Sequence, residues 1–242
     1  CFSNTYVAFM TSCNDVTGWV DMNKANLSSG EELSLGSARA IRACFYLDMA
    51  RQFEALEVTD EAAAGKFDIS EVKGLTVPII DEKTSEEKAR KNPRAKRDKM
   101  FEFILKDLDD AETLLDGLSV KKTIPSKAVV YGLKARLYMW IGDYANAKKY
   151  ARLAIDNASA GVMTEADCRD PKTGFNQLSK WMLGSQLVAE DATVKTGIVN
   201  WASWMCNEAE YGYAAAEPMT MIDAAMYNRL NNTDFRKKMF KA

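Results

Sequence analysis

The sequence predicts a mainly α-helical protein, made of packed helical hairpins with irregular loop insertions. Three observations carry that expectation. Apolar residues recur at spacings of three and four through residues 1–158, the period of a helix. Only 5 prolines and 13 glycines stand in 242 residues, too few for a sandwich or barrel full of turns. Apolar residues make up 47% and charged residues 27%, the balance of a folded chain that buries a core without disulfide staples.

The elements follow in order. Tyr6, Phe9, Met10, Cys13, Val16 and Val20 mark a first helix. Gly36 to Phe53 carries two apolar stripes, Ala38, Ile41, Phe45 and Met49 on one side and Ala43, Tyr46, Leu47, Ala50 and Phe53 on the other. A helix apolar on two sides lies between layers, so Arg39, Arg42, Asp48 and Arg51 must be paired or exposed. Leu56 to Val77 reads as an irregular connection, and Val77-Pro78-Ile79-Ile80 as a short extended segment, because Pro78 steers Val77 away from helical geometry. The basic run Lys88, Arg90, Lys91, Arg94, Lys96, Arg97 and Lys99 lacks interleaved aromatic residues and is flanked by Glu86, Glu87 and Asp98. It reads as a solvated loop leading into a helix, not as a nucleic-acid surface.

That next helix, about Arg97 to Leu115, has Met100, Phe101, Ile104, Leu108, Ala111 and Leu115 on one face. Asp107, Asp109, Asp110 and Glu112 read as its solvated acidic side. A helical hairpin follows over 128–158. Ala128, Tyr131, Ala135 and Tyr138 line one helix, Gly142-Asp143-Tyr144 turns the chain, and Ala147, Ala151, Ala154 and Ala158 line the other. Small residues admit aromatic rings at close range, so Tyr138 and Tyr144 are expected against the alanine face. The pattern matches a tetratricopeptide unit, with Lys134 where that repeat has leucine. Beyond Ala160 the texture loosens. Cys168 to Gly174 reads as a turn-rich loop, and Pro218 opens a last helix through Met219, Ile222, Met226 and Leu230. The expected organisation is one continuous domain, with a helical region at 1–158 and an irregular, loop-rich, ligand-side region at 159–242 that ends in a helix.

The chemistry is bounded by what is missing. With no histidine, Ser-His-Asp and Cys-His catalysis and histidine-based zinc sites are excluded. The cysteines at 1, 13, 44, 168 and 206 form no CxxC pair, so zinc ribbons and thioredoxin-type sites are excluded too. No cofactor and no metal site is expected. A net charge of −2 gives no field toward nucleic acid or an anionic membrane, and no run reaches the roughly 20 apolar residues of a membrane span.

Three segments, in order, resemble the SusD/RagB family of outer-membrane nutrient-binding lipoproteins of Bacteroidetes-type bacteria. Gly36-Ser37-Ala38-Arg39-Ala40-Ile41-Arg42-Ala43-Cys44-Phe45-Tyr46-Leu47-Asp48 is similar to that family's Gly-x-Ala helix ending in an aromatic pair and aspartate. Val77-Pro78-Ile79-Ile80, with the later Phe101, Ile104, Asp107-Leu108, Ala111 and Leu114-Leu115, resembles a second segment, and Lys127 through Asn157 a third. Asp223 to Arg236 weakly resembles a later one that ends in Asp-Pro-Arg, with Phe235 in place of the proline. The resemblance implies tetratricopeptide-like helical hairpins with loop insertions and a non-catalytic, surface-exposed protein at the outer membrane. It also implies an oligosaccharide or peptide ligand and a partner, the SusC-type TonB-dependent porin. Membrane contact would come only through a lipid anchor outside this sequence, which is read as an internal piece of a longer protein. In that family the lipidated cysteine lies far upstream of the Gly36 helix, so Cys1 is not the expected anchor. The hairpin alone would also support an alternative, a tetratricopeptide-type scaffold for a protein partner.

Sugar binding needs flat aromatic faces for the C–H surface of a pyranose and planar polar groups for its hydroxyls. Trp201, Trp204, Tyr211 and Tyr213, near Asn200, Asn207 and Glu210, supply both. The spacing of Trp201 and Trp204 also fits one buried helix face, and both readings stand at this point.

Overall fold

A computed structural model describes residues 2–20, 24–55, 70–170, 172, 177–184 and 222–239. The chain divides into two compact units. The first comprises Cys1–Gly161 with Trp181–Leu183, and the second Val162–Lys180 with Gly184–Ala242.

The first unit is a row of helices: α1 (Phe2–Trp19), α2 (Ser29–Phe53), a short α3 (Glu86–Arg90), α4 (Arg97–Leu114), α5 (Lys127–Ile141) and α6 (Tyr144–Asn157). Among the described residues no strand forms, only isolated bridges such as Leu75 with Lys96. Each long helix packs on its neighbours, α1 on α2, α2 on α4, α4 on α5 and α5 on α6.

Local sequence sets the boundaries. Ser28 and Glu31 form a capping box that starts α2, satisfying amides that a helix end leaves open. The Glu31 carboxyl, bonded by Lys24 and by the Ser28 amide and hydroxyl, is held down to about 2. Ser126 caps α5, and Asp143 caps α6 through the Asn146 amide at 3.0 Å. Between them Gly142 sits at φ +83°, which a glycine adopts without steric cost, and the Asp143 amide closes onto the Tyr138 carbonyl at 3.0 Å.

The core is the sandwich of α2, α4 and α5. Tyr46, Leu47 and Ala50 meet Met100, Ile104, Leu108 and Ala111, which in turn meet Val129, Val130, Leu133 and Leu137. At the α2–α4 crossing a Cβ added to Gly36 would lie 2.8 Å from Leu115 Cγ, so the absent side chain is what lets the helices approach. Tyr46 stitches the extended segment around Pro78 to α2. Tyr46 Oη donates to the Ile80 carbonyl at 2.9 Å and accepts from the Ile80 amide at 2.8 Å.

Several expectations need correction. Tyr144 does not pack on the alanine face but is 68% exposed, because it is the first residue of α6 and lies outside the seam. Tyr138 stacks instead on Tyr150, with centroids 5.5 Å apart and planes 4° apart, while Ala147 and Ala154 are buried as expected. Phe53 is exposed at the end of α2. The basic run is not wholly solvated. Arg94 donates to the carbonyls of Thr76 (2.6 Å), Leu75 (2.9 Å) and Phe53, the last an open carbonyl at the end of α2.

The second unit, in its described parts, has α7 (Glu165–Arg169), a 3₁₀ turn (Leu178–Lys180), α8 (Ala224–Arg229) and a 3₁₀ turn (Phe235–Met239). Cys168 and Arg169 therefore close a helix, capped by Thr164 and Asp167, where a loop is expected from sequence. Asp167 also holds Lys180 at 3.0 Å. The last described helix opens at its Asp223 cap, with Ile222 before it and Leu230 after it, while Pro218 and Met219 of the expected helix lie outside the described residues.

Candidate functional site

The densest polar chemistry in the described residues is a buried ionic cluster. Arg42 is fully buried on α2, and its guanidinium has three carboxylate bonds: Nε to Asp107 Oδ2 at 2.7 Å, Nη2 to Asp107 Oδ1 at 2.8 Å, and Nη1 to Glu82 Oε2 at 2.7 Å. Nη1 also donates to Asn14 Oδ1 of α1 at 2.8 Å, and Phe103 lies 5.2 Å beneath the group. Arg39, one turn earlier, adds a bond to Asp107 Oδ1 at 2.7 Å. One fork-on-carboxylate pair thus ties α1, α2, α4 and the Pro78 segment together.

The cluster is built for holding, not for proton transfer. Burial pushes the Glu82 carboxyl up, but the Arg42 hydrogen bond and the charges of Arg42 and Arg39 outweigh it, and the net shift is downward. Burial lowers the Arg42 guanidinium, yet Asp107 and Glu82 raise it further above its ordinary range. Nearby, burial pushes the Tyr46 hydroxyl up to about 12 and the Cys13 thiol up to about 11. All of these move away from the neutral range that a general acid or base needs.

Asp107 was expected on a solvated acidic side, and the structure buries it. The signal was present, since Asp107 stands three residues after Ile104 and four before Ala111, on the apolar stripe itself. Asp109 and Glu112 do face outward, but they serve Lys134. That buried ammonium meets Asp109 Oδ1 at 2.6 Å and also bonds Glu112, and it lies 5.2 Å from the Tyr150 ring. A lysine thus occupies the leucine position of the repeat because α4 brings two carboxylates to it.

A second feature is a groove of about 610 Å³ beside the α5–α6 hairpin, lined by Arg51, Arg136, Met139, Trp140, Tyr144 and Lys148 among others. Trp140 forms its fixed wall. The indole Nε1 donates to Glu54 Oε2 at 2.9 Å, and Arg97 stacks on its ring at 5.2 Å.

The six residues expected to bind ligand, Trp201, Trp204, Tyr211, Tyr213, Asn200 and Asn207, lie outside the described residues. Among the described residues no group of three or more cysteine or carboxylate side chains is placed to hold a metal ion, and no helix is long and apolar enough to cross a membrane.

Comparison with solved structures places the architecture. A SusD-like carbohydrate-binding protein from Bacteroides vulgatus superposes with a TM-score of 0.70 at 20% identity, over 97% of this chain and 45% of its own. The chain has the SusD-like fold. A SusD superfamily protein from Bacteroides thetaiotaomicron superposes with a TM-score of 0.61 at 17% identity, over 94% of this chain and 49% of its own. A laminarin-binding SusD-like protein gives 0.51 at 15% identity, over 74% and 35%. No family model and no curated protein matches the chain. This sequence therefore spans slightly less than half the length of the first two SusD-like chains it matches. Within it, the fold rests on the α2–α4–α5 core and the α5–α6 hairpin, where the sequence motifs lie.

Proposed function

We propose that this chain is part of a surface-exposed, glycan-binding lipoprotein that delivers its ligand to a SusC-type TonB-dependent porin at the outer membrane. The SusD-like fold is the observation that carries the reading, since the solved proteins sharing it include one described as carbohydrate-binding and one as laminarin-binding. In this reading the region 159–242 is the ligand side. Trp201, Trp204, Tyr211 and Tyr213 stack on pyranose rings, and Asn200 and Asn207 bond their hydroxyls. The protein binds without turnover, which fits a chain with no histidine and a charge cluster whose carboxylates are held by guanidinium donors. Membrane contact comes through a lipid anchor.

Two assays test it. Affinity electrophoresis of the purified chain through gels containing laminarin or other polysaccharides should show retardation with at least one glycan and no release of sugar. Protease shaving of intact cells expressing the full-length protein should remove this region. Free migration in every glycan, or protection in intact cells with recovery in the cytosolic fraction, would sink the reading.

A further inference from the structure

We propose that the outer face of the α5–α6 hairpin is a docking surface for an acidic amphipathic helix of about three turns, an interaction that does not depend on glycan binding. Two adjoining hollows of about 610 and 600 Å³ run along α6 and share Lys148 and Ala151. Large apolar side chains stand out of them or beside them: Met139 is 56% exposed, Tyr144 68% and Ile155 60%. Ala147 and Ala151 leave a low floor between these walls, which admits a bulky side chain from a partner at close range. Among the described residues the extensive helix contact of α6 is with α5 alone. Stacked helical hairpins bury such a face against a neighbour, and they carry a polar outer surface where no neighbour follows. This face carries an apolar stripe of Tyr144, Ala147, Ala151 and Ile155, with Lys148 and Arg152 set among them. Tyr144 to Ile155 covers about 16 Å of helix axis at roughly 1.5 Å per residue, which sets the length of the occupant.

Charge selects its chemistry. The residues lining the two hollows include Arg51, Arg136, Lys148, Lys149 and Arg152, and no carboxylate. Asp48 and Asp156 answer Arg136 and Arg152 from outside, at 2.7 and 3.7 Å. Arg51 from α2 and Lys148 from α6 stand exposed at the rim. An apolar trough between cationic edges is complementary to a helix with a leucine stripe flanked by glutamates. A second copy of the same face would set like charges against each other, which disfavours self-association.

The probe is a synthetic alanine-based helical peptide with a leucine stripe flanked by glutamates. One control carries lysine in place of glutamate, and another alanine in place of leucine. Calorimetric titration into the purified chain should show the glutamate peptide binding at least about ten-fold more tightly than either control, with the preference shrinking as salt is raised. Arg51→Glu with Lys148→Glu should reverse the preference toward the lysine peptide without changing the thermal melt. Tyr144→Ala should weaken binding of the glutamate peptide several-fold. The proposal is overturned by equal binding of the glutamate and lysine peptides, by no binding of the glutamate peptide, or by an unreversed preference in the double variant. Sedimentation showing dimers that the double variant abolishes would assign the face to a second copy and overturn it equally.

Discussion

Asp107→Asn removes one charge from the ionic cluster while keeping the side chain's size. In the parent, both Asp107 oxygens are engaged by buried guanidinium donors, Arg42 at 2.7 and 2.8 Å and Arg39 at 2.7 Å. An amide can turn only one oxygen toward those donors and must set its own N–H₂ against the rest. Arg42, fully buried, keeps Glu82 and Asn14 but loses the carboxylate that gripped it with two bonds. Breaking a buried pair in this way costs about 3–5 kcal/mol. For a unit of this size that corresponds to a fall in melting temperature of about 10 °C. Urea unfolding followed by far-UV circular dichroism measures it directly. Arg42→Met with Asp107→Leu should recover only part of the loss, because Arg39 and Glu82 lose their close partners and are left facing each other at 3.8 Å. The cluster also sets an acid limit. The Glu82 carboxyl is lowered from its ordinary value of 4.5, so its contribution is fully present above that pH and is lost as pH falls through the lowered value. A loss under about 1 kcal/mol for Asp107→Asn would show that water reaches the cluster and that it does not lock the helices.

Three further outcomes follow from the packing. Gly36→Ala should cost about 1–3 kcal/mol in a thermal or urea melt, since Leu115 and Leu114 already crowd the place its methyl would take. Lys134→Met should change stability by less than about 1 kcal/mol, because Asp109 and Glu112 keep side-chain exposures of 57% and 29% and can turn to water. The Cys13 thiol, pushed up to about 11 by burial, should be alkylated by iodoacetamide at pH 8 far more slowly in the folded protein than in urea, by about 100-fold or more. Mass spectrometry of the labelled peptide reads the ratio.

Much of this fold could be read from residue spacing, because its strongest signals are local. The α4 stripe of Met100, Ile104, Leu108 and Ala111 and the Gly142-Asp143 turn each lie within a few residues, and the structure places both where the pattern does. What spacing could not supply is the pairing across α2 and α4. Asp107 and Arg42 are 65 residues apart, and only the fold makes the carboxylate of an apparently acidic face a buried partner. Tyr144 failed for a different reason. The alanine face suggested room for its ring, yet Tyr144 is the first residue of α6 and stands exposed. The lysine at 134 looked like a departure from the repeat and is instead satisfied by Asp109 and Glu112 one helix away. For the ligand site, composition named aromatic and amide residues, but their geometry lies outside the described residues.

We propose that this SusD-like chain binds glycan through aromatic rings in the 200–213 region. The most direct test measures melting temperature and retention in polysaccharide gels together for Trp201→Ala and Trp204→Ala. Stacking rings should lose about 1–2 kcal/mol of binding, roughly a 5- to 30-fold weaker retention, at an unchanged melt. Unchanged retention at an intact melt would contradict the claim. So would a stability loss of about 3–5 kcal/mol, which would make these tryptophans core residues.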